Sequence, residues 1–274
     1  MASDASGLRA PSLRGRIKWG QVATGGIALA LFAWLAWTVA QNDSVQWAAI
    51  PEFLVHPRIL RGVVLTLQLT VGAMLFGIAL GCGLAAMATS GNPVLRAIAA
   101  GYVWWFRGVP LIVQIFLWFN IALFVPRIGT VDINVLITPT LAGFLALGLY
   151  EAANMSEIVR AGLGSVGRGQ REAALALGLK PLQRMWTVIL PQAVRLVIPP
   201  TGNQAIAMLK ASAIVSVIGM RDLLTQAQQI YAANFLVIEM LFVASIWYLG
   251  LATVASIGQY FLENRYGPDR TRAA

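Results

Sequence analysis

The chain has 274 residues, of which 58% are hydrophobic and 11% charged; an average soluble domain is about 25% charged. This balance excludes an ordinary soluble domain and predicts an integral membrane protein, with length for about five to seven spans and no large extra domain. The formal charge of +9 does not mark a nucleic-acid surface, because the Lys and Arg residues sit at the ends of apolar runs and not on an aromatic-interleaved face.

Taken in order, residues 1–60 hold a basic N-terminal segment, an extra membrane helix and an outer loop. Arg9, Arg14, Arg16 and Lys18 precede an apolar run over about 22–40, longer than a signal-peptide core and without a clear cleavage pattern, so it reads as a retained span. Trp34 and Trp37 suit its far interface. The loop 41–60 carries Asp43, Pro51, Glu52 and Pro57. His56, the single histidine, has no ligand or triad partner nearby in the sequence.

Span two covers roughly 62–89 and contains Gly77 and Gly81, a small-xxx-small spacing that permits close helix approach. Residues 94–106 form a helical stretch near the inner interface. Arg107-Gly108-Val109-Pro110 breaks it, and Leu111 to Val125 completes span three. Span four runs over about 138–160. Span five, roughly 188–218, is expected to be interrupted at Pro199-Pro200, and span six covers about 235–261. The tail, 264–274, is basic. The lone cysteine, Cys82, lies in an apolar run, which excludes an intrachain disulfide.

Charge sets the orientation. Fourteen Lys and Arg residues fall in the segments assigned to the inside and four (Arg58, Arg61, Arg127, Arg221) in those assigned to the outside, which places both termini in the cytoplasm.

Polar groups inside spans are expensive and mark candidate sites. Span four carries Glu151, Asn154, Glu157 and Arg160 at intervals of three, drifting about 60° per step around the helix. Glu157 and Arg160 are spaced to form an ion pair at the inner mouth. Glu151 lies deeper; it either meets a ligand's ammonium group or pairs with a charge on another helix. Span five adds Asn203, Gln204 and Lys210, with Lys210 facing a substrate carboxylate, Glu151 or Glu239. Gln114 is a further pathway candidate. The Pro199-Pro200 break would free carbonyls that a wet cavity can satisfy.

Between spans four and five, about 165–187, lies a polar loop holding a short helix with a stop. Glu172 is expected near its first turn, at the positive end of the helix dipole. Ala173, Ala174, Leu175, Ala176 and Leu177 favour helix. Gly178 suits the left-handed position past the end, Leu179 folds back on the alanines, and Pro181 prevents continuation. No GxxxxGK[ST] phosphate loop occurs in the chain, so ATP chemistry, if it drives the protein, must come from another polypeptide. No nucleophile–base or metal constellation supports a membrane enzyme.

The spacing Glu172-Ala173-Ala174, three residues, Gly178, nine residues, Val188, one residue, Leu190-Pro191 resembles the EAA loop of ABC-transporter permeases, with Val188 where the family usually has Ile. Thr66-Leu-Gln-Leu-Thr70, the stretch from Trp105 to Gln114, the stretch from Tyr150 to Gly162, and Ile198-Pro-Pro with Gly202-Asn203 look like the polar-amino-acid branch of type I ABC importer permeases, the histidine, glutamine, glutamate and arginine permease-like family. The resemblance covers about 61–263. It implies an all-α fold of about six transmembrane helices with a cytoplasmic coupling helix, in the inner membrane of a bacterium. It further implies half of a translocation pathway for an amino acid, completed by a second permease subunit, either self or paralogue. Glu172, Ala173, Ala174, Gly178, Leu179 and Pro181 would contact an ATPase dimer that carries the ATP and Mg, this chain binding no cofactor itself. An extracytoplasmic binding protein would deliver the amino acid. The rival reading is a secondary transporter or channel independent of an ATPase, which predicts transport by the purified chain alone.

Overall fold

The computed structural model describes residues 19–266. Arg9, Arg14, Arg16 and Lys18, and Arg270 and Arg272 of the tail, lie outside the described residues. The chain forms two compact units that divide between Val45 and Gln46. The first contains α1 (Trp19–Ala40), whose 22 residues reach about 33 Å at ~1.5 Å each, enough to cross a bilayer.

The second unit follows as α2 (Ala49–Leu54), α3 (Pro57–Ala88), α4 (Pro93–Gly108) and α5 (Leu111–Phe119). A small antiparallel hairpin, β1 (Arg127–Ile128) with β2 (Val131–Asp132), leads into α6 (Ile133–Leu136) and α7 (Pro139–Gly164). Then come α8 (Arg168–Ala176), α9 (Pro181–Arg184), α10 (Leu190–Ala211), α11 (Leu223–Asn234) and α12 (Val237–Tyr266). Residues 46–60, grouped on sequence with the N-terminal segment, sit in this unit. The Gln46 N–H donates to Glu239 Oε1 at 2.7 Å, and Trp247 Nε1 donates to the Leu54 carbonyl at 3.0 Å.

Among the described residues, α1, α3 and α12 are long and apolar enough to cross a membrane by themselves, and α4 with α5 forms a broken span bent by 102°. The break falls where Pro110 was expected to place it. However, α5 has nine residues and ends at Phe119, short of Val125, so it reaches only about 14 Å and is no full span alone. Helices α7 and α10 have 26 and 22 residues, long enough to cross, but carry the charged groups discussed below.

The central seam joins α3 to α7. A Cβ on Gly77 would lie 2.6 Å from Glu151 Cγ, and one on Gly81 would lie 2.6 Å from Met155 Cβ. The Gly77/Gly81 spacing is therefore used as expected, to bring two backbones close. Both pairs advance in the same direction along each chain, so α3 and α7 run parallel. Their C-terminal ends lie toward α8, and the N-terminus of α3 lies at the opposite end. Leu69, Ala73, Met74, Ala146, Leu147, Met208 and Val215 fill the core beside this seam.

One expectation fails. Pro199 and Pro200 lie inside a continuous α10. Each proline removes one N–H, but its fixed φ is itself helical, so the helix continues with unmet carbonyls in place of a break. The irregularities lie at the two ends of α10. Pro191 cannot donate to the Thr187 carbonyl, and Met185–Ile189 winds as a π turn with the Leu190 N–H on the Met185 carbonyl. After Ala211 the chain tightens into a 3₁₀ segment, Ser212–Ile218, which ends at Gly219 with φ 73°.

Candidate functional site

Two groups of residues stand out: the α8 loop at one end and a polar line along α7 and α10. In the loop, α8 ends as its sequence predicts. Gly178 adopts φ 71°, its N–H donates to the Leu175 carbonyl at 2.9 Å, and the Leu179 N–H reaches the Ala174 carbonyl at 3.2 Å. This paired closure satisfies the last carbonyls of the helix. Pro181 opens α9 directly afterwards, with the Lys180 N–H donating to Gln183 Oε1 at 3.0 Å.

Glu172 departs from its expected place. The helix starts four residues earlier, at Arg168, so Glu172 lies in the second turn, where the dipole favours it less. The first turn holds Arg168 and Arg171 instead. Arg171 was not anticipated. Its Nε donates to the Val166 carbonyl at 3.3 Å and its Nη2 to the Leu163 carbonyl, so one guanidinium ties α8 to the end of α7. Backbone acceptors leave no trace in a sequence, so no motif could have found this bond.

Ala174 is buried beneath the loop, whereas Glu172, Ala173 and Pro181 are exposed. Leu175, Leu177 (78% exposed), Leu182 and Trp186 (63% exposed) line the same short stretch. Four large apolar side chains exposed on a polar loop form an unsatisfied surface.

Along α7, Glu151 is fully buried, with Oε2 accepting from Gln204 Nε2 on α10 at 2.9 Å. Its Oε1 has no partner within the protomer. The structure thus brings Glu151 and Gln204 together and does not pair Glu151 with Lys210. Lys210 and Asn203 are exposed, Asn154 is half-buried, and Glu239 accepts the Gln46 N–H instead of a lysine. Lys210 lies six residues beyond Gln204, next to the last residue of α10, and is exposed.

Glu157 binds Arg160 in a fork, at 3.1 Å and 2.6 Å, as their spacing predicts. Arg107, from the α4–α5 break, adds a second cation 3.8 Å from Glu157. Gln114 is buried and donates from Nε2 to the carbonyls of Phe106 and Val109, both at 2.8 Å. It satisfies the open end of α4, a structural duty that accounts for its polarity without a ligand. An apolar cleft of about 540 Å³ lies between α3, α7, α10 and α12, bordered by Met74, Met155, Val197 and Gln259. It has no charged lining and does not include Glu151. Among the described residues no cluster suited to a metal ion occurs.

Parallel helices α3 and α7, a broken span, a capped loop helix and a buried carboxylate, Glu151, in the seam are the features of a polytopic membrane protein. A family model described as "Binding-protein-dependent transport system inner membrane component" matches residues 73–268, and the chain belongs to that family. The arginine transport system permease protein ArgU of Corynebacterium glutamicum is 37% identical over 271 residues, 97% of this chain and 85% of the relative. The glutamate/aspartate import permease protein GltK of Escherichia coli is 36% identical over 225 residues, 80% of this chain and 97% of the relative. A crystal structure of an amino acid ABC transporter with histidines matches with a TM-score of 0.74 and 33% identity, covering 81% of this chain and 99% of that one. The inward-facing methionine transporter MetNI, at 19% identity and a TM-score of 0.63, shares the fold.

Proposed function

We propose that the chain is the membrane subunit of an ATP-driven amino acid importer, forming half of the pathway and coupling it to a separate ATPase pair through α8. The observation that carries this reading is the capped α8–α9 turn with Leu175, Leu177, Leu182 and Trp186 exposed on an otherwise polar loop. An apolar face held rigid outside the bundle fits insertion into a partner's groove. Glu172, Ala173, Ala174, Gly178, Leu179 and Pro181 shape that face. A second permease subunit completes the pathway, and an extracytoplasmic binding protein supplies the amino acid. Both termini lie in the cytoplasm of a bacterial cell and α8 faces the ATPase, which accords with the excess of basic residues on that side. ATP and Mg belong to the ATPase.

The relatives named for arginine and for glutamate/aspartate support an amino acid as cargo. Glu151, with one oxygen unpartnered in the protomer, is the group proposed to meet the amino acid's ammonium, directly or through rearrangement of Gln204. Asn154, Glu157, Asn203 and Lys210 border the same helices.

The test is reconstitution in proteoliposomes with and without the ATPase. Amino acid uptake that requires ATP and the ATPase, and that fails when Trp186→Asp or Gly178→Asp blocks co-purification of the ATPase, is the expected result. Full uptake by the chain alone on an ion gradient would replace this reading with that of a secondary transporter.

A further inference from the structure

At the end of the bundle opposite α8, the start of α11 packs against the second and third turns of α3. The Leu223 N–H donates to Thr66 Oγ1, in the third turn of α3, at 3.1 Å in a buried contact, which seats the start of α11 against the side of α3. Between them lies a pocket of about 470 Å³ lined by Arg58, Arg61, Leu65, Arg221, Gln226 and Gln229. Three guanidinium groups share it, and none of the lining residues is acidic.

This arrangement is electrostatically unfavourable as it stands. Helix N-termini carry partial positive charge and favour carboxylates in the first turn. Neither α3 nor α11 has an acidic residue in its first turn; α3 has Arg58 and Arg61 in its first two turns, and Arg221 immediately precedes the cap of α11. Asp222, the adjacent acid, is fully buried and accepts from Thr225 N, Thr225 Oγ1 and Leu224 N. Among the described residues it forms no ion pair with Arg221. Three guanidinium groups therefore face one polar concavity whose lining contains no acid, and the nearby carboxylate of Asp222 is taken up in capping α11. The basic residues assigned to this end by sequence number only four, and three of them converge here.

Depth identifies the anion. With 32 residues α3 is about 48 Å long, whereas the hydrocarbon core of a bilayer is ~30 Å thick. No charged residue occurs on α3 after Arg61, so Arg58 and Arg61 mark where the helix leaves the hydrocarbon and enters the headgroup layer. Leu65 forms the apolar floor one turn deeper, and Leu60 and Val64 are exposed on the flank of α3 beside it. Arginine forks match phosphate oxygens, and the glutamine amides match polar headgroup hydroxyls.

We propose that this pocket is a binding site for the phosphate headgroup of an anionic phospholipid, which neutralises the three arginines. The glutamines orient the headgroup and the α3 flank takes the upper acyl chain.

The test uses the permease co-purified with its ATPase from nanodiscs of phosphatidylcholine containing phosphatidylglycerol of matched chains. Native mass spectrometry counts the lipid retained per permease. The native complex is expected to keep phosphatidylglycerol in preference to phosphatidylcholine. Arg58→Gln, Arg61→Gln and Arg221→Gln should each weaken retention roughly fivefold, and the three together by about two orders of magnitude. A triple lysine variant retains the charge and should keep most of the retention, and an intact complex in every preparation shows that folding is not at issue. Equal retention by the native protein and the triple Gln variant overturns the proposal. So does a site that releases phosphatidylglycerol to inorganic phosphate, which would mark a free-anion site. Arginine-dependent binding of an acidic soluble protein with no lipid preference would make the pocket a protein-docking surface and would overturn it likewise.

Discussion

At the residue scale, buried polar groups divide into those with internal duties and those left incomplete. Gln114 has an internal duty, closing α4 through two carbonyls. Glu151 does not have its needs met, because one oxygen is held by Gln204 and the other is unpaired. Gln204→Leu should therefore strand a buried carboxyl and cost about 1–3 kcal/mol, read as a fall in melting temperature in detergent. Replacing both partners, Glu151→Leu with Gln204→Leu, should return most of that stability. If Glu151 also meets the cargo, the stable double variant will still not transport, and uptake against melting temperature separates the two roles. Arg171 makes a different kind of contact, a bridge between α8 and the last carbonyls of α7. Arg171→Gln should leave the ATPase bound while lowering the amino acid moved per ATP hydrolysed. Arg171→Lys, which reaches one carbonyl at a time, should recover part of it. An unchanged transport-to-ATP ratio in Arg171→Gln would remove the bridge from the coupling path.

At the scale of elements, two contacts set the geometry. The α3–α7 seam has no room for a methyl group at Gly81, where an added Cβ would lie 2.6 Å from Met155 Cβ and 2.9 Å from the Ala152 carbonyl. Gly81→Leu should force the helices apart, costing about 1–3 kcal/mol or more, with loss of monodisperse protein on size-exclusion chromatography. The α8 stop is a local device. At φ 71° a β-branched residue is strained, so Gly178→Val should cost about 1–2 kcal/mol in the loop. The bundle should melt at nearly its original temperature because a Cβ added at Gly178 would meet nothing within 4 Å. Loss of ATPase co-purification without loss of melting temperature is the expected signature. Much of this level was legible in the sequence. Ala-rich helix, Gly, Pro is a local grammar that works through φ and missing donors, and the Gly77/Gly81 spacing works through size alone. The Pro199-Pro200 pair misled because proline's effect on a helix depends on whether its lost bonds are tolerated, which the surrounding packing decides.

For the whole molecule, orientation is the testable statement. With Cys82 replaced by Ser, Gly169→Cys in α8 should react with a membrane-impermeant maleimide only from the ATPase side. Asp43→Cys, in the loop after α1, should react only from the other side. Labelling of both from one side would remove the topology and the importer reading with it. The sequence by itself determined the class of molecule and the stop that ends α8, because hydropathy and backbone preference are local along the chain. Only the tertiary structure decided who partners Glu151, what Gln114 is for, that Arg171 joins two helices, and that three distant arginines share one pocket. Those outcomes depend on which helix faces come together, and facing is set by the summed packing of the bundle, a quantity that no short stretch of residues contains.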